Sequence, residues 1–182
     1  MKWIPSFQAY DSVSVDNARL VLSEAEKNLT STVADAESLT RTAIYVLGVM
    51  ILILSGCAGL LVKVVDWQLP IEKQSWHLIA AHGAVFIYVF LTVLRLLDGA
   101  FKARGIEHIG NTPESLMKAE YLNQSHSALL LLEASSCRDR ILKNANRNKE
   151  TGIAINIAIR WLCVTPLVFL TVLFGVTILR HP

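Results

Sequence analysis

Cysteine is scarce in this chain of 182 residues: Cys57, Cys137 and Cys163 are the only three, each far from the others. Without CxxC or Cys/His spacing, they predict neither a disulfide framework nor a metal site. Nine glycines and five prolines leave long stretches with nothing to break a helix. There is no HExxH, no glycine-rich phosphate loop, no pair of acids at catalytic spacing and no nucleophile beside a base. The expectation is therefore a protein that is not an enzyme and carries no cofactor. Charge is sparse as well. Asp, Glu, Lys and Arg make up 18% of the chain, and they are missing altogether from residues 43–62, 76–94 and 161–179.

What fills those runs is apolar. Each is long enough, as a helix, to cross the ~30 Å hydrocarbon core of a bilayer, and together they account for the 53% apolar content. Residues 3–41 are mostly polar and interrupted by Pro5, without the order of a signal peptide, so the first span is expected to be an uncleaved anchor. Four Lys and Arg precede Ala43 and ten lie between Leu94 and Trp161, leaving only Lys63, Lys73 and Arg180 elsewhere. The basic side stays in the cytoplasm. The expected fold is thus all-α and integral to the membrane: three transmembrane helices with long cytoplasmic helical extensions, N-terminus in and C-terminus out. The boundaries run as a polar segment 1–14, a cytoplasmic heptad helix 15–42, spans at 43–65, 76–97 and 157–179, and a long cytoplasmic helix 112–152. Trp67 and Trp76 flank Pro70 as interfacial anchors.

Small or apolar residues recur in steps of three and four from Val15 through Ala18, Leu22, Ala25, Leu29, Thr32, Ala36, Leu39 and Ala43, a heptad seam. The register continues through Met50 and Cys57, so the first helix is expected to run about fifty residues, roughly 75 Å. Either this chain's own long helix or another copy covers that seam. In the first span Ser55 and Gly59 have the small-xxx-small spacing of close helix contact. A capped helix start is expected at Asn111 to Glu114, Glu150 to Gly152 is compatible with a bend or a continuous helix, and Pro166 is a candidate kink.

Polar groups inside spans usually face a bundle interior or a watery cavity. On the second span His82, Tyr88, Thr92 and Arg95 are such groups. On the third, Asn156, Arg160, Cys163, Leu167 and Thr171 share one face, with Pro166 beside it. His82, Tyr88, Thr92, Arg95, Asn156, Arg160, Pro166 and Thr171 are the candidate pore or gate residues. Asp98 lies near the inner end of its span, within reach of an ion pair to Arg160 or Arg95. Long basic side chains at helix ends also simply snorkel to head groups. On the long cytoplasmic helix Arg138, Arg140, Lys143, Asn144, Arg147, Asn148 and Lys149 form a basic stripe with interleaved asparagines, the candidate ligand site. Attraction to anionic lipid accounts for such a stripe. So does binding of a nucleotide or oligonucleotide, although aromatic stacking partners are missing from this stretch.

Three spans, an N-terminal helix running into the first and a long basic helix running into the last resemble the small three-span membrane effectors of bacterial anti-phage defence. The similarity is greatest to the channel-forming effector of Hailong-type systems, whose partner nucleotidyltransferase makes a DNA oligomer that holds the channel closed. It implies a multi-pass protein of the bacterial inner membrane. It further implies a tetrameric, gated ion channel that depolarises the membrane, with residues 1–14 as an autoinhibitory plug and the 138–149 stripe as the signal site. The implied partners are further copies of the chain, membrane lipid, and the nucleotidyltransferase product or a short DNA oligomer. Two other readings compete: a non-conducting scaffold or exclusion protein acting through coiled-coil helices, and a holin-like lysis protein.

Overall fold

A computed structural model describes residues 12–67, 76–102, 105–110 and 124–180. The described residues hold three helices and no strand: α1 (Val15–Trp67), α2 (Trp76–Ala100) and α3 (His126–Arg180). All three are long and apolar enough to cross a membrane. Ser14 caps α1 by accepting the Asn17 N–H at 3.3 Å, and Ser125 caps α3 by accepting the Ala128 N–H at 3.3 Å. Such caps satisfy one of the N–H groups that a helix start leaves without a partner. The start expected at Asn111 to Glu114 lies outside the described residues. Residues 112–123 of the helix expected over 112–152 lie outside the described residues; α3 begins at His126, after Gln124 and Ser125, which are not helical. It then continues without a break through Gly152 and Pro166 to Arg180. α2 ends at Ala100.

The chain divides into two compact units, one of residues 12–38 with 105–110 and 124–149, the other of residues 39–67 with 76–102 and 150–180. The α1 seam buries Ala18, Leu29, Ala36, Ala43, Met50 and Cys57. From Leu29 onward these fall every seven residues, the repeat that keeps one stripe facing a partner helix. The partner is the chain's own α3. That helix carries a matching seam in strict alternation of three and four: Ala134, Cys137, Asn144, Ile155, Ala158 and Thr165 are buried, and Ile141, Asn148, Thr151 and Leu162 are half-buried between them. Within the first unit the two helices run parallel, with Thr32 opposite Asn144 and Asn148.

In the second unit α2 packs antiparallel to α3. Its residues Val85, Val89, Val93 and Leu96 form one core with Ala43, Met50, Cys57, Ile155 and Ala158. Gly99 lies against Ala154 so closely that a Cβ there would come 2.5 Å from the alanine's Cβ. Only glycine lets these backbones approach. The outer faces are apolar: Ile44, Leu52, Ile87, Leu91, Leu167, Phe174 and Leu179 are all exposed. A continuous apolar exterior of this extent marks a membrane or a protein partner.

Candidate functional site

The basic stripe of α3 splits by direction. Asn144 is 1% exposed and sits in the seam, not on a ligand face. Its Oδ1 accepts the Glu107 N–H at 3.1 Å, while its Nδ2 donates to the Glu107 carbonyl at 2.9 Å and the Thr32 hydroxyl at 3.3 Å. Asn148 likewise donates to the Thr32 carbonyl at 2.8 Å. Both amides, candidate ligand groups by sequence, are thus engaged within the chain. A single asparagine in the apolar seam of a parallel helix pair sets register, because sliding one turn would strand its amide without partners.

Arg140 also turns inward to the chain. Its Nη1 donates to the carbonyls of His108 (3.2 Å) and Gly110 (2.9 Å), and Glu133 lies 3.7 Å away. Gly110 adopts φ 97°, a left-handed conformation that glycine reaches without the cost a Cβ imposes. Lys143 pairs with Glu107 at 3.5 Å on the surface. Arg140, Lys143 and Asn144 together staple the 105–110 segment to α3. Arg138, Lys143 and Lys149 remain exposed. Arg147 is half-buried, and its Nη1 is enclosed without a hydrogen-bond partner among the described residues.

Arg138 borders an open groove of about 610 Å³ between α1 and α3, walled by Leu20, Val21, Asn28, Leu131 and Ile141, with Glu24 at its edge. Cys137 is buried nearby. Loss of water pushes its thiol above the usual range, the charges of Glu133 and Glu26 add to the rise, and Arg140 opposes it.

The candidate pore residues also divide. Tyr88 donates its hydroxyl to the Trp161 carbonyl at 3.1 Å and stacks on the Trp161 ring at 5.7 Å. Tyr88 therefore serves the α2–α3 contact, while Thr92 is buried and donates to the Tyr88 carbonyl of its own helix at 2.9 Å. The Arg95 guanidinium lies 5.5 Å from the centre of the Trp161 ring, a cation–π contact. Asp98 pairs with Lys102 at 3.9 Å and with neither Arg95 nor Arg160, the two cations within reach of it by sequence. His82 donates through Nδ1 to the Leu78 carbonyl at 2.8 Å and meets Phe169 edge-on at 5.2 Å. It lines an apolar cleft of about 550 Å³ with Cys57, Val85, Thr165, Pro166 and Phe169. Asn156, Arg160, Cys163, Pro166 and Thr171 all lie exposed on α3. Of the residues expected as a plug, 1–11 lie outside the described residues.

Sequence reasoning missed the inward seam of α3. Its 3-4 spacing was readable from Ala134 onward, but Asn144, Asn148, Thr151 and Thr165 interrupt it with polar side chains. These observations define an all-helical protein with three helices long and apolar enough to cross a membrane. No protein-family model, curated protein or solved structure matches the chain.

Proposed function

We propose that the protein is a homo-oligomeric, gated ion channel of the bacterial inner membrane, with residues 12–38 and 105–149 in the cytoplasm and the C-terminus outside. The observation that carries this reading is the outward face of α3. Asn156, Arg160, Cys163 and Thr171 are exposed there, spread over about 22 Å of helix, within a stretch otherwise suited to hydrocarbon. Polar groups at that depth face a bundle interior or water. The interior of one chain is already filled by Met50, Val89, Leu96, Ile155 and Ala158, so the face is accommodated between copies. A scaffold acting through its coiled coil would need the α1 seam free, and that seam is buried against α3.

Control is assigned to an anionic ligand, a nucleotide or short DNA oligomer, on the exposed Arg138, Lys143 and Lys149. Deployed against phage, release of such a channel would depolarise the infected cell. The test is ion flux from liposomes containing the purified protein, with and without short oligonucleotides, beside growth arrest on expression. Flux that falls in Asn156→Leu/Thr171→Leu supports the reading. Absence of flux across lipid compositions and ligands rejects conduction. Charge reversal at Arg138, Lys143 and Lys149 should weaken oligonucleotide binding and flatten its salt dependence, whereas unaltered binding rejects the ligand site.

A further inference from the structure

We infer that neighbouring copies are joined by an ion pair between Arg160 of one copy and Asp98 of the next, an inference that rests on the oligomeric reading above. Within one chain these groups do not meet. Arg160 is exposed and has no ion-pair or hydrogen-bond partner among the described residues. The Asp98 carboxylate is 82% exposed, and its one cation among the described residues, Lys102, is itself exposed and stands 3.9 Å away, a contact of little energy. Arg95 is drawn aside onto the Trp161 ring.

Depth brings the two charges together. Gly99 packs on Ala154, Tyr88 on Trp161 and His82 on Phe169, so α2 and α3 run antiparallel in a steady register. By that register Arg160 is level with Leu91, about seven residues or roughly 10 Å along the axis from Asp98. Copies arranged around an axis along the membrane normal keep every residue at its own depth, so this separation also holds between chains. Helical side chains tilt toward their own N-terminus. In an antiparallel pair the Asp98 carboxylate therefore leans toward the level of Arg160, and the longer guanidinium leans back toward Asp98. The tilt narrows the gap, and the length of the arginine side chain spans the rest.

The charges also have few alternatives. Acids among the described residues of this unit are Asp66 at the far end of α1, Asp98, and Glu150, which lies ten residues below Arg160 on the same helix. The competing cation is Arg41, which Leu39 packing on Gly152 brings to the level of Asp98. Arg41 is preceded by the polar stretch of α1 and opens to water, whereas Arg160 stands inside the apolar stretch, where an unpaired charge is costly. An acid from a neighbouring copy removes that cost, and because the donor is on α3 and the acceptor on α2, the contact is head-to-tail, the kind from which a ring is built when the rotation between copies closes.

Cross-linking in membranes with a bismaleimide about 10 Å long, matched to the axial separation, tests the contact without reference to conductance. In a background with Cys57, Cys137 and Cys163 replaced by alanine, one copy carries Asp98→Cys and a differently tagged copy carries Arg160→Cys. The cross-linker should give a mixed dimer when the two are co-expressed and none when either is expressed alone. An oligomer by native mass with no mixed dimer overturns the ion pair and leaves assembly standing. A monomeric mass overturns both. Charge exchange in the native background provides the second measurement. Asp98→Arg or Arg160→Asp alone should weaken self-association on the order of tenfold, the equivalent of one modest ion pair, and the double exchange should restore it. Restoration by Arg41→Asp in place of Arg160→Asp overturns the assignment.

Discussion

Replacing Asn144 by alanine separates a seam residue from a ligand residue. The amide makes two well-placed bonds to the Glu107 backbone, at 2.9 and 3.1 Å, and a longer one to the Thr32 hydroxyl at 3.3 Å. A neutral hydrogen bond contributes about 1 kcal/mol net. Because Glu107 is only half-buried, water can reach its freed backbone groups, which holds the loss near 2 kcal/mol rather than the larger cost of enclosed unsatisfied groups. That loss falls on the 105–110 segment, which keeps Arg140 and Lys143 as its other anchors. At 1.4 kcal/mol per decade, the Glu107 amide should exchange with deuterium about thirtyfold faster in Asn144→Ala, while amides in the middle of α2 stay as they were. Hydrogen exchange by mass spectrometry on the detergent-solubilised protein reads this directly. Wild-type exchange at Glu107, or oligonucleotide binding that falls while exchange and thermal stability hold, would refute the seam assignment and return Asn144 to the ligand face.

The α1 seam predicts a sharp contrast between neighbouring leucines. Leu29→Ala, at a fully buried position, should cost about 3 kcal/mol in thermal unfolding, and Leu20→Ala, at a position 63% exposed, less than about 0.5 kcal/mol. Gly99→Ala drives a methyl into Ala154 and should destabilise the second unit by about 1–3 kcal/mol; pairing it with Ala154→Gly should recover most of the loss. The Cys137 thiol is raised by burial and by Glu133 and Glu26, so the native state favours its neutral form. The stability from that preference is complete at neutral pH and is lost as pH climbs past the ordinary thiol range toward the raised folded value. Cys137→Ser should therefore show less alkaline destabilisation than wild type, and native Cys137 should resist maleimide at pH 7 until the protein unfolds.

Two kinds of information were unequally legible in the chain. The α1 repeat could be read from Val15 to Cys57 because its seam is small or apolar throughout. The seam of α3 is just as regular yet was hidden, since Asn144, Asn148 and Thr151 occupy inward positions while Ile153, Ile159 and Leu167 point outward. In its first half α3 is polar outside, in its second half apolar outside, and no single pattern of hydrophobicity describes both. The Asn144 amide looks like a ligand group for the same reason: sequence shows a residue's chemistry but not the direction in which the helix presents it.

Composition and periodicity by themselves determined that the chain is helical and has three helices able to cross a membrane, because length and apolar content are properties of a segment alone. They also determined that α1 needs a helical partner. Which helix that partner is, which cations bind the chain's own loop, and that Asp98 and Arg160 do not meet within one copy were decided only by tertiary structure. Each of these depends on the rotation and register of one helix against another, and those are set by the packing of Gly99 on Ala154 and of Thr32 on Asn144, contacts between residues more than fifty positions apart.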